Sequence, residues 1–220
     1  MGEAAVPNRH GRAALIAAIG FNLVPVVGVL FWGWSAFALI FLYWLENVVI
    51  GGRTLLSMAI SGIVGGANFV GVLFFCAFFT LHYGLFCFAH GSFVVGMFAG
   101  EALGSNMLDL PGAARALFAL QPGLSWGLAS IVLWQALQLT LFVVRGEAAG
   151  TNPLALMAAP YPRIVILHLA IIFGGFLLML MDEPLAGLVV LALVKTGFDV
   201  AEATGRAPSF NLARGALRQS

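Results

Sequence analysis

The chain has 220 residues, of which 61% are hydrophobic and only 9% are charged. A soluble domain carries about 25% charged residues, so this composition predicts an integral membrane protein that is surrounded by lipid. The formal net charge is +1, and the few basic residues are scattered along the chain. Scattered basic residues form no patch for a phosphate backbone, and nucleic acid is therefore excluded as an expected partner.

Six apolar segments are long enough to cross a membrane, and they predict an all-α fold with six transmembrane helices in one bundle. The expected spans cover residues 13–31, 36–59, 69–98, 126–144, 164–181 and 185–201. Residues 1–220 thus form a single membrane domain.

The segments between the expected spans are mostly short. A cytoplasmic N-terminal tail covers residues 1–12, the bundle covers 13–201, and a second tail covers 202–220. Residues 101–123 form the one long connection, in which Ala113–Leu120 is expected to be a short interfacial helix. Residues 61–67 are predicted to be a glycine-rich turn, and residues 146–162 a loop rich in Pro, Gly and Ala.

The distribution of arginine predicts the orientation in the membrane. Eight arginines fall on one side of the expected bundle, whereas the other side has only Arg115. Because loops rich in Lys and Arg remain in the cytoplasm, both termini are expected to be cytoplasmic.

Several ionisable residues fall inside the expected spans, where a charge is costly and usually functional. Glu46, His82 and Lys195 are predicted near the middle of the membrane, as is the polar Gln135. His168, Asp199 and Arg53 are predicted nearer the cytoplasm.

Helical periodicity groups these residues on particular faces. At about 100° per residue, one side of the second span carries a polar stripe: Tyr43, Glu46, Asn47, Ile50, Arg53, Thr54 and Ser57. One side of the third span carries two histidines in an aromatic setting: Phe75, Phe79, His82, Phe86, Ala89, His90 and Phe93. We expect the two sides to face each other, because charged groups avoid lipid.

Carboxylates and imidazoles that converge from several helices are typical metal ligands in bundle cores. The sequence therefore predicts a site for a divalent transition metal, zinc or iron, with the expected ligands Glu46, His82, His90, His168 and Asp199. Asn47, Arg53, Tyr43 and Lys195 are expected to support these ligands. His82 and His90 are eight residues apart, so two ions, or a contribution from only one histidine, are both open.

Other interpretations use the same residues. A proton- or ion-coupled small transporter is the principal alternative, although six spans are few and no pair of discontinuous helices is evident. The groups could instead satisfy one another and fix the packing. Whether the protein is an enzyme stays open and no catalytic residue is assigned; metal-assisted hydrolysis or redox chemistry would fit the metal site.

Residues Gly123–Gly127 form a Gly-x-Ser-x-Gly pattern, in which Ser125 is expected to cap a helix.

A family resemblance covers residues 41–199. Its motifs are Tyr43-Trp44-Leu45-Glu46-Asn47, His82-Tyr83-Gly84, His90-Gly91, His168 with Gly174-Gly175, and Lys195-Thr196 with Asp199. These motifs resemble a family of bacterial membrane proteins of unknown function. The resemblance implies a six-span protein of the bacterial inner membrane and brings no established activity.

The composition also bears on partners. Abundant Gly and Ala are compatible with a homodimer, and membrane lipid is the one certain neighbour that the composition predicts.

Overall fold

The computed structural model describes residues 27, 28, 31–98, 106–162, 164, 165 and 169. Within these residues the chain is all helical and forms no β-strand. The helices of this part of the chain are α1 (Ala36–Val64), α2 (Phe69–Phe98), α3 (Leu110–Leu120), α4 (Leu124–Val144), α5 (Glu147–Gly150) and α6 (Pro153–Ala158).

Three of these helices are long and apolar enough to cross a membrane. The membrane-length segments are Phe37–Val64 in α1, Phe69–Phe98 in α2 and Leu124–Val144 in α4. They correspond to the second, third and fourth predicted spans, and α2 begins at the predicted residue, Phe69. The first and sixth predicted spans, and most of the fifth, lie outside the described residues.

Two helix ends and one cap differ from the prediction. Helix α1 continues to Val64 instead of ending at residue 59, because Gly62 packs against Val72 of α2 and only Gly65 caps the helix. Helix α4 begins at Leu124, with Gly123 at the N-cap position. Ser125 is therefore not the cap, and its hydroxyl donates to the carbonyl of Pro122 within the first turn.

The connection before α4 contains the predicted interfacial helix, but α3 starts at Leu110 instead of Ala113. The cause is a local cap, in which the Asp109 carboxylate accepts from the backbone N–H of Gly112 at 2.9 Å. Pro111 fits the first turn of α3 because a proline there loses no intrahelical hydrogen bond.

Helices α1 and α2 run antiparallel in close contact. The indole N–H of Trp44 donates to the carbonyl of Cys87 at 2.8 Å. One turn further along α1, the hydroxyl of Tyr83 donates to the carbonyl of Asn47, also at 2.8 Å. These two bonds place Glu46 at the level of residues 83–87 of α2.

Helix α4 runs parallel to α1. Near the start of both helices, the backbone N–H of Ser35 donates to the side-chain carbonyl of Gln121 at 3.4 Å. Beyond the end of α4, the hydroxyl of Ser61 donates to the carbonyl of Ala148 at 2.7 Å. The end of the bundle near Ser35 is called the Trp34 end below, and the opposite end is called the Gly65 end.

Two apolar clusters fill the interior. The larger lies at the Trp34 end and joins α1, α2, α3 and α4, with Trp34, Phe37, Phe41, Val94 and Leu117 among its buried members. The smaller lies toward the Gly65 end and contains Met58, Phe79, Tyr83, Cys87 and Ile164, with Leu156 and Met157 of α6 packed against it. Helix α6 therefore packs against the core through partly buried side chains.

The segment 146–162 was predicted to be a loop, and this prediction was wrong. It contains α5 and α6, and α6 is capped by Asn152, whose side chain accepts from the N–H of Leu154 at 2.9 Å. Pro153 follows at the first helical position, where proline favours helix initiation. The high proline and glycine content marks the ends of these short helices and does not exclude helical structure.

Substitution of Gly51 tests the close approach of α1 and α2. A Cβ atom at Gly51 would overlap the ring of Tyr83, whose hydroxyl is held by Asn47. We expect Gly51→Ala to lower the free energy of unfolding by about 1–3 kcal/mol through overpacking, as measured by thermal unfolding in detergent micelles. Gly52→Ala is the matched control, because a Cβ at Gly52 has no neighbour within 4 Å. Equal destabilisation by both variants would contradict the close contact.

Candidate functional site: a buried polar row on α1

A row of polar side chains is buried along one side of α1. We call it the polar row: Glu46, Asn47, Arg53, Thr54, Ser57 and Ser61. Arg53 is half-buried, and the other members are at most 5% exposed. Tyr43 and Ile50 of the predicted stripe are also buried. The prediction that this side of the helix faces inward is confirmed.

The opposite side of α1 is apolar and exposed. Val48, Leu56 and Ile63 are 42%, 53% and 72% exposed, respectively. Such a division is expected for a helix between lipid and a protein interior, because an unpaired polar group in hydrocarbon costs several kcal/mol.

The two histidines of α2 have different environments. His90 is 3% exposed, and its ring lies 6.2 Å from the ring of Phe86. His82 is exposed, and its ring contacts Phe78 at 5.6 Å and Tyr161 at 5.8 Å. The prediction that both histidines face the interior is therefore wrong for His82.

The packing of α2 explains this difference. Two close contacts define the arc of α2 that faces α1. The Tyr83 ring packs against Gly51 of α1, and the Trp44 ring of α1 packs against Gly91. His90 falls next to this arc, and His82 falls outside it. Ala89 and Phe93, which were also assigned to the inner side, are exposed as well.

Glu46 and His90 are the two predicted metal ligands that the structure buries. Glu46 lies at the level of residues 83–87, so His90 is about one and a half helical turns, roughly 8 Å, nearer the Trp34 end. Within the described part of the chain, no group of three or more His, Cys, Asp or Glu side chains is arranged to hold a metal ion. His168, Asp199 and Lys195 lie outside the described residues.

Asn47 has an unusual environment for an amide. Its side chain is 2% exposed, and neither its carbonyl oxygen nor its NH2 group makes a hydrogen bond to any described residue. Buried polar atoms almost always have a partner, and an exception indicates a bound water, an ion or a functional constraint. Asn47 adjoins Glu46 in the polar row, so the most hydrophilic part of the row lies between the two apolar clusters.

Sequence reasoning missed Tyr161. Its side chain is half-buried, and its ring contacts His82 and Tyr83 at 5.8 and 6.3 Å, about halfway along α2. The Tyr161 ring thus lies beside an imidazole and a second phenol, and its hydroxyl can donate or accept a hydrogen bond. The available signal was the Asn152-Pro153 helix start followed by an apolar run, which brings Tyr161 inward along α1.

Three helices of membrane length, lipid-type apolar surfaces and a buried polar row are the features of a helical membrane protein. A comparison with known families is consistent with the expectation of an uncharacterised family. The chain belongs to a family of unknown function (DUF6498), and the match covers residues 4–214. Neither the curated proteins nor the solved structures gave a match.

Proposed function

We propose that the protein is a proton- or cation-coupled transporter, with the polar row as its pathway and Glu46 as its central ionisable group. One observation carries the proposal: the row is buried and extends for about 22 Å, from Glu46 to Ser61, at a rise of about 1.5 Å per residue. Packing alone would not require so many polar groups on one side of a membrane helix, and ionisable groups there commonly form ion or proton pathways.

The proposed topology has six spans in a bacterial inner membrane, with both termini in the cytoplasm. It is supported by the positions of the arginines, since Arg145 lies at the Gly65 end and Arg115 belongs to α3 at the Trp34 end. In this orientation the polar row leads from the middle of the membrane to the cytoplasm. Lys195, Asp199 and His168 would then complete the interior.

A metal site is the second candidate, and the burial of Glu46 and His90 within about one and a half helical turns favours it. Zinc or iron would need further ligands, for which His168 and Asp199 are the candidates in the sequence. His82 would take no part in such a site. A metal held there would supply Lewis-acid or redox chemistry to a hydrolase or oxidoreductase.

Purified protein in liposomes distinguishes the two candidates. The vesicles contain a pH-sensitive dye, and a potassium gradient with valinomycin sets the membrane potential. We expect acidification well above that of protein-free vesicles, and no stoichiometric metal by elemental analysis of the same sample. Acidification at the protein-free rate would reject the polar row as a proton pathway. Stoichiometric zinc or iron that is lost from a Glu46→Ala/His90→Ala variant would select the metal site.

A further inference from the structure

We infer that α6 is a movable half-helix that closes the polar row at the Gly65 end, with a hinge at Ala159–Pro160. This inference deepens the proposed transport function. It rests on that function, because closing the polar row regulates transport only if the row is a transport pathway. The position of α6, the break after it and its attachment to α1 each support it.

Helix α6 enters the bundle from the Gly65 end. Ala148 and Thr151, which precede it, are bound to Ser61 near the end of α1. Tyr161, which follows it, contacts the ring of His82, and His82 is 13 residues from the first residue of α2, Phe69. At about 1.5 Å per residue, Tyr161 therefore lies roughly 20 Å along α2 from its first residue.

This part of α2 has a surface suited to lipid. Apart from His82, its large exposed side chains are apolar from the first turn onward: Phe69, Val70, Leu73, Phe74, Phe78, Leu81 and Leu85. The depth reached by Tyr161 is consequently a depth within the membrane. Leu156 and Met157 of α6 pack against the cluster around Met58 and Phe79, beside the Gly65 half of the polar row.

The helix is interrupted at this depth. The N–H of Ala159 returns to the carbonyl of Leu156 at 3.2 Å, and among the described residues the next regular helical bond runs from the N–H of Ile164 to the carbonyl of Pro160 at 3.1 Å. Pro160 and Pro162 have no N–H to donate. Few backbone bonds therefore cross from α6 to the residues after it, which is the property of a hinge, and broken helices are common in transporters.

Ser61 attaches the half-helix to α1. Its hydroxyl donates to the carbonyls of Ala148 and Thr151, and Thr151 directly precedes the α6 cap, Asn152. The polar part of this attachment consists of a single side chain, so its loss weakens the hold on α6 while the apolar contacts of Leu156 and Met157 remain. Ser61 is also the last member of the polar row, so the attachment point is the place where the row would open.

Cysteine labelling tests the closure. In a background with Cys76→Ala and Cys87→Ala, Ser57→Cys places a thiol in the buried row, and a membrane-impermeant cationic methanethiosulfonate is added to either side of sealed vesicles. A separate Glu147→Cys variant, at an exposed position, identifies the side that the Gly65 end faces and gives the rate of an open thiol. We expect slow labelling of the thiol at position 57, and about tenfold faster labelling from that side when Ser61 is changed to Ala, because one shared hydrogen-bonding group is lost.

Matched variants separate closure from general destabilisation. Ser130→Ala removes another buried hydroxyl, but this hydroxyl bonds only within α4, to the carbonyl of Gly127 at 2.7 Å, and its loss should leave labelling unchanged. Ser61→Thr keeps the hydroxyl and should restore slow labelling. Pro160→Ala, which returns an N–H to the hinge, should slow labelling further. Size-exclusion profiles identify any variant that fails to fold.

Two results would overturn the inference: labelling of the Ser57→Cys variant as fast as that of the Glu147→Cys variant, or no acceleration by Ser61→Ala in folded protein. Labelling requires no transport, so the two proposals fail separately. Vesicles without flux that keep the expected labelling pattern would reject the transporter and keep the movable half-helix. Normal flux together with labelling that Ser61→Ala does not accelerate would keep the transporter and reject the movable half-helix.

Discussion

Glu46→Gln is expected to reduce proton or cation flux by roughly 100-fold, a typical effect of removing a group that transfers a proton. The amide has nearly the same size as the carboxyl group but carries no charge and exchanges no proton. Because Glu46 is 5% exposed, bulk water cannot substitute for it. The measurement is dye acidification in liposomes at equal protein content, and Glu46→Asp should retain part of the flux.

The control for Glu46 is Glu147→Gln. Glu147 lies outside the polar row, its side chain is 53% exposed, and its nearest cation is Arg145 at 3.9 Å. Such a surface pair contributes about 0–1 kcal/mol, so this variant should transport at the wild-type rate. Wild-type flux in Glu46→Gln would reject the pathway along α1.

Asn47→Leu should raise the free energy of unfolding by about 1–3 kcal/mol, the cost of a buried polar group without a hydrogen-bond partner. Leucine has a similar shape and no polar atoms, and the Asn47 carbonyl that accepts from Tyr83 belongs to the backbone and is retained. The same change should abolish flux if the amide serves the polar row. Thermal unfolding in detergent and the liposome assay measure the two effects on one preparation.

Ser92→Ala provides the comparison for Asn47. The Ser92 hydroxyl is also buried without a hydrogen bond to any described residue, but it lies on α2 outside the polar row. The Ser92→Ala variant should be more stable than the wild type and should keep the wild-type flux. A stabilised Asn47→Leu variant with full flux would show that the amide is a packing defect without a transport role.

The sequence was most informative where one physical requirement dominates. The apolar run of α2 predicted its start at Phe69 and its membrane length, since a helix satisfies the polar backbone within lipid. The polar row was predicted because a period of about 100° places Glu46, Arg53 and Ser57 on one side. That side must face inward when the other carries Val48 and Leu56.

Periodicity could not decide the positions of His82 and His90. It gives the angle between two residues on one helix, whereas the arc that faces a neighbour depends on how closely the helices approach. Gly51 and Gly91 admit the rings of Tyr83 and Trp44, and this contact turns His82 outward. Such a fit depends on pairs of residues distant in sequence.

Helix α6 was missed for a similar reason, since a helix of six residues is stable only through its contacts with α1 and α2.

The short link between α1 and α2 has a consequence for biosynthesis. A charged residue near the centre of a membrane helix costs about 2.5–3.5 kcal/mol during insertion, so α1, which carries Glu46 and Arg53, is a poor candidate for entering the bilayer alone. Only residues 65–68 separate it from the strongly apolar α2. The ribosome delivers both helices almost together, and Trp44 and Tyr83 can join them as a hairpin before α4 has been synthesised.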